Sequence, residues 1–433
     1  MSTWLTDARS SPAAAANLID DRNALAAWYR RNRERSAQLF ALVDPQAYYS
    51  RPIALRHPFA FYEGHLPAFS FLVLNERALG EEPVDAKLLK LFERGIDPSS
   101  ISSAQAHERA DWPSREEIEA FGRRCDERVY DALARATLCD DTIPRLVRGQ
   151  AVFTLLEHEQ MHHETLAYII HRLPIDLKGR IEQTHHDGAP PQNDFVEVPP
   201  GTATLGAQPE DVRFGWDNEF RSRSVRVDRF KVQRYPVTNG DYLTFVRSGA
   251  PLPPFWVERD GELLLRGAFE ELPLPLSWPV YVTNEQAREY AAWKGHRLMT
   301  EAEYHRAAYG APDGQERAHP WGDEPPTPLH GNFGFERFDA QPVDAHPAGA
   351  SAWGIHDLVG NGWEWTSSVF APFEGFEPMA SYPQYSADFF DGKHFVLKGA
   401  SPVTAPELIR RTFRNWFYAD YPYMYAKFRT VSA

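Results

Sequence analysis

Residues 153–171, FTLLEHEQMHHETLAYIIH, contain neither proline nor glycine and place His158 and His162 four positions apart. On a helix this spacing stacks two imidazoles on one face, one turn apart. Leu155, Leu156, Leu166, Ile169 and Ile170 supply the apolar positions that such a helix needs to pack in a bundle. A pair of imidazoles presented inside a bundle is a natural metal site, and the rest of the chain is expected to complete and enclose it. Three readings of the pair compete. It can be a polar helix face with two ordinary histidines. It can be zinc peptidase chemistry, because His158-Glu159-Gln160-Met161-His162 fits H-E-x-x-H, in which the glutamate is the general base. It can also be an iron site whose third ligand comes from another helix.

A chain of 433 residues exceeds one simple core, so two domains are expected. A formal charge of −14 argues against nucleic acid as a partner. Only Cys125 and Cys139 are present, which fits a reduced cytoplasm and excludes a disulfide framework. The start, MSTWLTDARSS, lacks a basic segment followed by an apolar core, and no apolar run approaches the ~18–20 residues that span a bilayer. A cytoplasmic protein with no membrane association and no obligate protein partner is therefore expected.

Residues 1–15 are small and polar and are expected to fray. Helices are expected over Ala16–Val43, His57–Leu79, about Arg115–Leu138, where Ser114-Arg115-Glu116-Glu117 forms a capping box, and from Asp141-Thr142-Ile143-Pro144 through His158 and His162. His65 lies in the second, beside Gly64 and Pro67, where a kink can turn a side chain inward. Residues 80–113, with Pro83, Pro98, Pro113 and the polar Ser99–Ser103 patch, read as irregular. Four amphipathic helices with long connections make a four-helix bundle over residues 1–180. HHDGAPPQND marks a linker over 181–194, in which His185 and His186 read as solvated. From Phe195 onward short β-like runs alternate with Gly, Pro and Asn turns, broken by helix-like segments at Asn239–Arg247, Asn284–Lys294 and Glu301–Tyr309. Residues 195–433 thus read as an irregular α+β domain.

The second half resembles the formylglycine-generating-enzyme (sulfatase-modifying factor) domain, a C-type-lectin-like fold. The matching stretches are Tyr235-Pro236-Val237-Thr238-Asn239, residues 293–304 (WKGHRLMTEAEY), Pro320-Trp321-Gly322, residues 354–366 (GIHDLVGNGWEWT) and Lys427-Phe428-Arg429. The domain has no cysteine, and formylglycine generation needs a cysteine pair, so that activity is excluded. The first half is similar to the DinB-type helix bundle. This fusion resembles the ergothioneine-pathway sulfoxide synthases, non-heme iron enzymes that join a sulfur donor to carbon 2 of the hercynine imidazole using O2. The resemblance implies Fe(II) held by His65, His158 and His162, with Glu159 supporting rather than catalytic. Three neutral imidazoles leave about three positions on an octahedral ion for the substrate imidazole, the donor chalcogen and dioxygen.

Hercynine carries a quaternary ammonium, which favours aromatic faces. The resemblance implies that Arg414-Asn415-Trp416 contacts hercynine, with Asn415 at its carboxylate or ammonium region and Trp416 as a pocket wall. Phe413–Phe428 is rich in aromatic residues, most of them expected in the core. Tyr382 and Tyr385 are the candidate proton donors. Several departures bear on the donor. Phe417 follows R-N-W where γ-glutamylcysteine-using members have an acidic residue. Residues 80–85 read GEEPVD where those members carry arginines, and G-G-S-W becomes Gly399-Ala400-Ser401-Pro402. Tyr62-Glu63-Gly64-His65-Leu66-Pro67 resembles the selenoneine synthase branch, which joins a selenosugar to hercynine. The leading expectation is carbon–selenium bond formation from a selenosugar. The alternatives are a sulfoxide synthase using cysteine or γ-glutamylcysteine, an H-E-x-x-H zinc hydrolase, and a non-catalytic ligand-binding protein.

Overall fold

Asp21 caps the first helix, α1 (Arg22–Ala41), by accepting a hydrogen bond from the Ala24 amide. In this computed structural model, which describes residues 18–93 and 112–432, it is the first of five helices that build a helical unit. The expected fraying of residues 1–15, the first residues of the expected first helix, and the Ser99–Ser103 patch fall outside the described residues. The unit comprises residues 14–181 together with a short return segment, Met379–Pro383. A second unit comprises 182–378 and 384–433, which takes in residues 182–194 of the expected linker.

The second helix, α2 (Phe59–Phe71), contains Pro67 and then widens over Leu72–Glu76, where Arg77 N–H bonds to Leu72 C=O and Leu79 N–H to Leu74 C=O, five residues back. Such widened turns cluster at functional sites. Residues 86–92, expected to be irregular, form α3 (Ala86–Phe92), capped by Asp85. Helix α4 (Arg115–Arg135) starts on the expected Ser114/Glu117 capping box. Helix α5 (Gln150–Arg172) begins later than expected. Arg148 and Gly149 both have positive φ, 55° and 71°, so a helix cannot run through them from Pro144. A Cβ on Gly149 would also lie 2.5 Å from Ile19.

In the second unit the three expected helices are α6 (Asn239–Arg247), α7 (Asn284–Trp293) and α8 (Glu301–Tyr309). Each opens on a capping box, Thr238/Asp241, Thr283/Gln286 and Thr300/Glu303. One antiparallel sheet orders β1 (Phe195–Val198), β4 (Phe230–Gln233), β13 (Thr430–Ser432) and β8 (His296–Leu298). A second orders β11 (Asn415–Tyr418), β10 (His394–Ala400), β9 (Gly362–Val369) and β12 (Ala426–Lys427). Hairpin-like ribbons β2–β3 (Gly201–Leu205, Arg223–Val227) and β5–β6–β7 (Trp256–Arg259, Glu262–Arg266, Glu271–Pro273) complete the unit. Val198, Val232, Met299, Tyr304, Ile355, Leu358 and Val431 share one apolar core. The result is α+β, as expected.

The most conspicuous sequence motifs of this unit meet as structure. β12 runs parallel to β9, with Lys427 opposite Glu364. Arg429 is fully buried and binds both Glu364 oxygens, at 2.5 and 3.1 Å. It also donates to the carbonyls of Arg234, His356 and Asp357. The W-E-W and K-F-R segments are therefore one buried ionic joint. His185 is also not solvated: its imidazole lies 3.4 Å from Asp339 and 3.8 Å from Glu270. Exposed His186 gives its carbonyl to the Trp278 indole.

Breaking a buried ion pair leaves an uncompensated charge. Arg429→Met is expected to destabilise the protein by about 3–5 kcal/mol, read as a lowered urea midpoint.

Candidate metal centre

Helices α2 and α5 build the site. His65 on α2 and His158 and His162 on α5 bring one ring nitrogen each within 4.8 Å of the others, the one such group of His, Cys, Asp or Glu among the described residues. Ring centroids are 5.2 Å apart for His65–His158, 5.1 Å for His65–His162 and 4.5 Å for His158–His162. The Nε2 atoms of His158 and His162 approach to 3.1 Å. His65 and His158 are buried, and His162 is partly exposed.

The orientation of His65 has a specific cause. Its Nδ1 lies 2.7 Å from the Phe92 carbonyl. A carbonyl only accepts, so Nδ1 carries the proton and Nε2 presents its lone pair. That Nε2 is buried and has no hydrogen-bond partner. The close approach of α3 depends on Gly64, where a Cβ would sit 2.5 Å from the Phe92 ring. Phe69, one turn beyond His65, stacks on His158 at 3.4 Å, and Tyr62 lies 5.7 Å from His162. Burial lowers the His65 pKa to about 4, although the Phe92 carbonyl opposes it. Burial and the neighbouring imidazoles hold His158 and His162 well below the ordinary value. Three neutral imidazoles with an orphaned buried lone pair fit a bound transition-metal ion.

Glu159 points elsewhere. It is fully buried and accepts from Arg33 at 2.7 Å and from the Ser36 hydroxyl at 2.6 Å, both on α1. Ser36 Oγ also lies 2.9 Å from His163 Nε2. Arg33 continues to Asp126 on α4, which accepts from Tyr29 at 2.6 Å. Burial would raise the Glu159 pKa, but Arg33 and the hydrogen bonds hold it at about 2. A carboxylate so occupied is a poor general base. The H-E-x-x-H spelling therefore splits into a face turned toward His65, with His158 and His162, and a bracing face, with Glu159 and His163.

Tyr382 belongs to the return segment of the helical unit. Its ring lies 5.1 Å from Phe69 and 6.0 Å from His158. Tyr385, three residues on, belongs to the second unit, where it stacks on Trp216 at 4.0 Å and meets Trp416 edge-on at 5.2 Å. Trp416 stacks on Phe370 at 4.2 Å with Phe389 beside it. Phe417 stacks on Tyr421. Asn415 is partly exposed at the start of β11, and its side-chain oxygen accepts from the Trp416 amide. Arg414 turns into the fold, forming a two-point ion pair with Glu301 and donating to the carbonyls of Asn218 and Ala371. Sequence reading missed Phe69, which its i+4 spacing from His65 signals, and Trp216. It could not have found the Phe92 carbonyl, since a backbone acceptor leaves no residue-type signature.

Comparison with known proteins agrees with this architecture. Residues 182–433 match the sulfatase-modifying factor enzyme 1-like domain and residues 29–166 the DinB superfamily. Ergothioneine biosynthesis protein 1 of Schizosaccharomyces pombe is 30% identical, covering 90% of this chain and 53% of that protein. Hercynine oxygenase of Mycolicibacterium smegmatis is 34% identical, covering 69% of this chain and 74% of that protein. The chain belongs to the ergothioneine-pathway sulfoxide synthase family. Hercynine oxygenase of Mycobacterium tuberculosis is 37% identical over 51% of this chain and 55% of its own length. The chain spans about half the length of the Schizosaccharomyces and Mycobacterium tuberculosis relatives and of the Neurospora crassa ergothioneine biosynthesis protein 1. In this family member no helix among the described residues is long and apolar enough to cross a membrane.

Replacing His65, His158 or His162 by Ala is expected to weaken metal binding in a competition titration by more than the roughly 100-fold that losing a residue supporting a ligand can cost. Glu159→Gln is expected to keep the metal while destabilising the fold by about 3 kcal/mol. The Glu159 carboxylate has a depressed pKa, so its stabilisation is present above its ordinary value of 4.5 and lost as pH falls toward 2. Acid unfolding of Glu159→Gln should therefore be shallower across that window.

Proposed function

We propose that this protein is an Fe(II)- and O2-dependent enzyme that forms a carbon–chalcogen bond at C2 of the hercynine imidazole. The observation that carries the reading is the triad of neutral imidazoles, two of them buried, in a chain whose relatives are named hercynine oxygenase and ergothioneine biosynthesis protein 1. His65, His158 and His162 would hold the iron. Bound there, the ion supplies sites for the chalcogen donor and dioxygen and makes a soft chalcogenolate easier to oxidise.

The chain's own residues do the rest. His65 is held in one tautomer by Phe92. Phe69 excludes water from one face of His158. Tyr382 is the proton donor of this proposal, since its ring shares the helical unit with the triad. Tyr385, also a candidate in the sequence, is placed instead in the aromatic cluster with Trp416. That cluster has the faces that a trimethylammonium group favours, and Asn415 beside it offers a carboxamide to the substrate carboxylate. Arg414 positions this strand through Glu301.

Two donor classes follow from different observations. The relatives' names favour a thiol. A neutral selenosugar is favoured by the stretch after α2, where arginines would otherwise meet donor carboxylates. Here Glu81 pairs with Arg128 and Asp85 with Arg124, so the acidic residues consume local positive charge. We assign the selenosugar as the finer reading, and a cytoplasmic location with it.

Fe(II)-loaded protein given hercynine and O2, with selenoglucose, cysteine and γ-glutamylcysteine in competition, is expected to yield a carbon–selenium product by mass spectrometry. A sulfoxide from either thiol would replace the donor assignment. Unconsumed hercynine with all three would refute the enzyme reading in favour of a ligand-binding protein.

A further inference from the structure

Four side chains of α5 follow one another at intervals of four: Gln150, Thr154, His158 and His162. Residues so spaced are neighbours along one side of a helix. The last two are the metal-binding pair. The first two hold the return segment. Thr154 Oγ1 lies 2.8 Å from Ser381 Oγ, and Gln150 Oε1 accepts the Ser381 amide at 3.0 Å. Thr154 and Ser381 are both buried, with exposures of 0% and 1%. Met379 is buried as well, so the segment is seated on the helical unit at two alternate positions, with Tyr382 directly after the second.

We infer that Gln150 and Thr154 are positioning residues that clasp Ser381 and thereby set Tyr382 beside His158; the inference rests on the proton-donor reading of Tyr382. Both partners of the Ser381 clasp lie on the helix that carries two of the three imidazoles. The spacing of the clasp from His158 and His162 is therefore set by the rise of one helix, about 1.5 Å per residue. A buried hydroxyl pair also resists exchange with water, and the half-buried amide–carboxamide bond adds a second point of attachment. The segment has no helix or strand of its own.

The test reads Tyr382 directly. The full-length protein carries 3-fluorotyrosine at position 382, and its 19F resonance is recorded without metal. One narrow line is expected. Thr154→Val, Ser381→Ala and Gln150→Leu should each move it toward the solvent-exposed position and speed exchange of the Ser381 amide by at least tenfold. Gln150→Glu, which keeps an acceptor, should preserve both signals. An unchanged resonance in folded Thr154→Val and Gln150→Leu overturns the clasp. In turnover, Thr154→Val should lower kcat about tenfold with KM nearly unchanged, and should have no further effect in a Tyr382→Phe background. Additive losses would make the clasp merely structural and overturn its positioning role. If the resonance responds as expected while the wild type consumes no hercynine, the functional reading fails and the clasp itself stands.

Discussion

The carboxylate of Glu159 has to be paired, and that need fixes the face that α5 turns to the metal site. An isolated buried carboxylate costs several kcal/mol, so rotating α5 about its axis would orphan Glu159 from Arg33 and Ser36. The imidazoles of His158 and His162, each one residue before a bracing side chain, have their direction set by the same constraint. The brace reaches α1 through Ser36 and Arg33 and α4 through Asp126, so three helices share one register. Leu156 adds a backbone contact by accepting from Asn32 at 2.8 Å.

The third imidazole obeys a different constraint. His65 is oriented by a backbone carbonyl, and the carbonyl is where it is because Gly64 leaves room for Phe92. Pro67 and the widened turns after Phe71 lie on the same helix, so α2 combines close approach and irregularity around its single ligand. One helix that carries two histidines and another that carries one together bring a ring nitrogen of each of the three within 4.8 Å of the others.

Much of this was legible in the chain. The His158/His162 spacing, the Ser114 capping box and helices α6–α8 follow from local rules, and local rules suffice where a helix is decided by its own caps and periodicity. The start of α5 was misplaced because proline at 144 is a good helix opener, whereas the left-handed pair Arg148-Gly149 acts through backbone dihedrals that composition signals only faintly. Helix α3 was missed because a seven-residue element between prolines draws its stability from packing Leu89 and Phe92 rather than from propensity. His185 read as solvated because its partners, Glu270 and Asp339, are 85 and 154 residues away in sequence. The family resemblance pointed to His65, while the physical reason for its orientation became visible only with Phe92 placed against it.

The return segment Met379–Pro383 makes the helical unit discontinuous in sequence. Its last helix ends at Arg172, yet Tyr382 arrives only after some two hundred residues of the other domain. The helical unit is therefore one unit by contact and two stretches by sequence. A polypeptide ending after the last helix would retain its three histidines and lack Tyr382, so cutting the gene there would leave the helical unit without one of its own segments. Once a later stretch of sequence supplies a segment of an earlier unit, the order of the parts becomes hard to reverse.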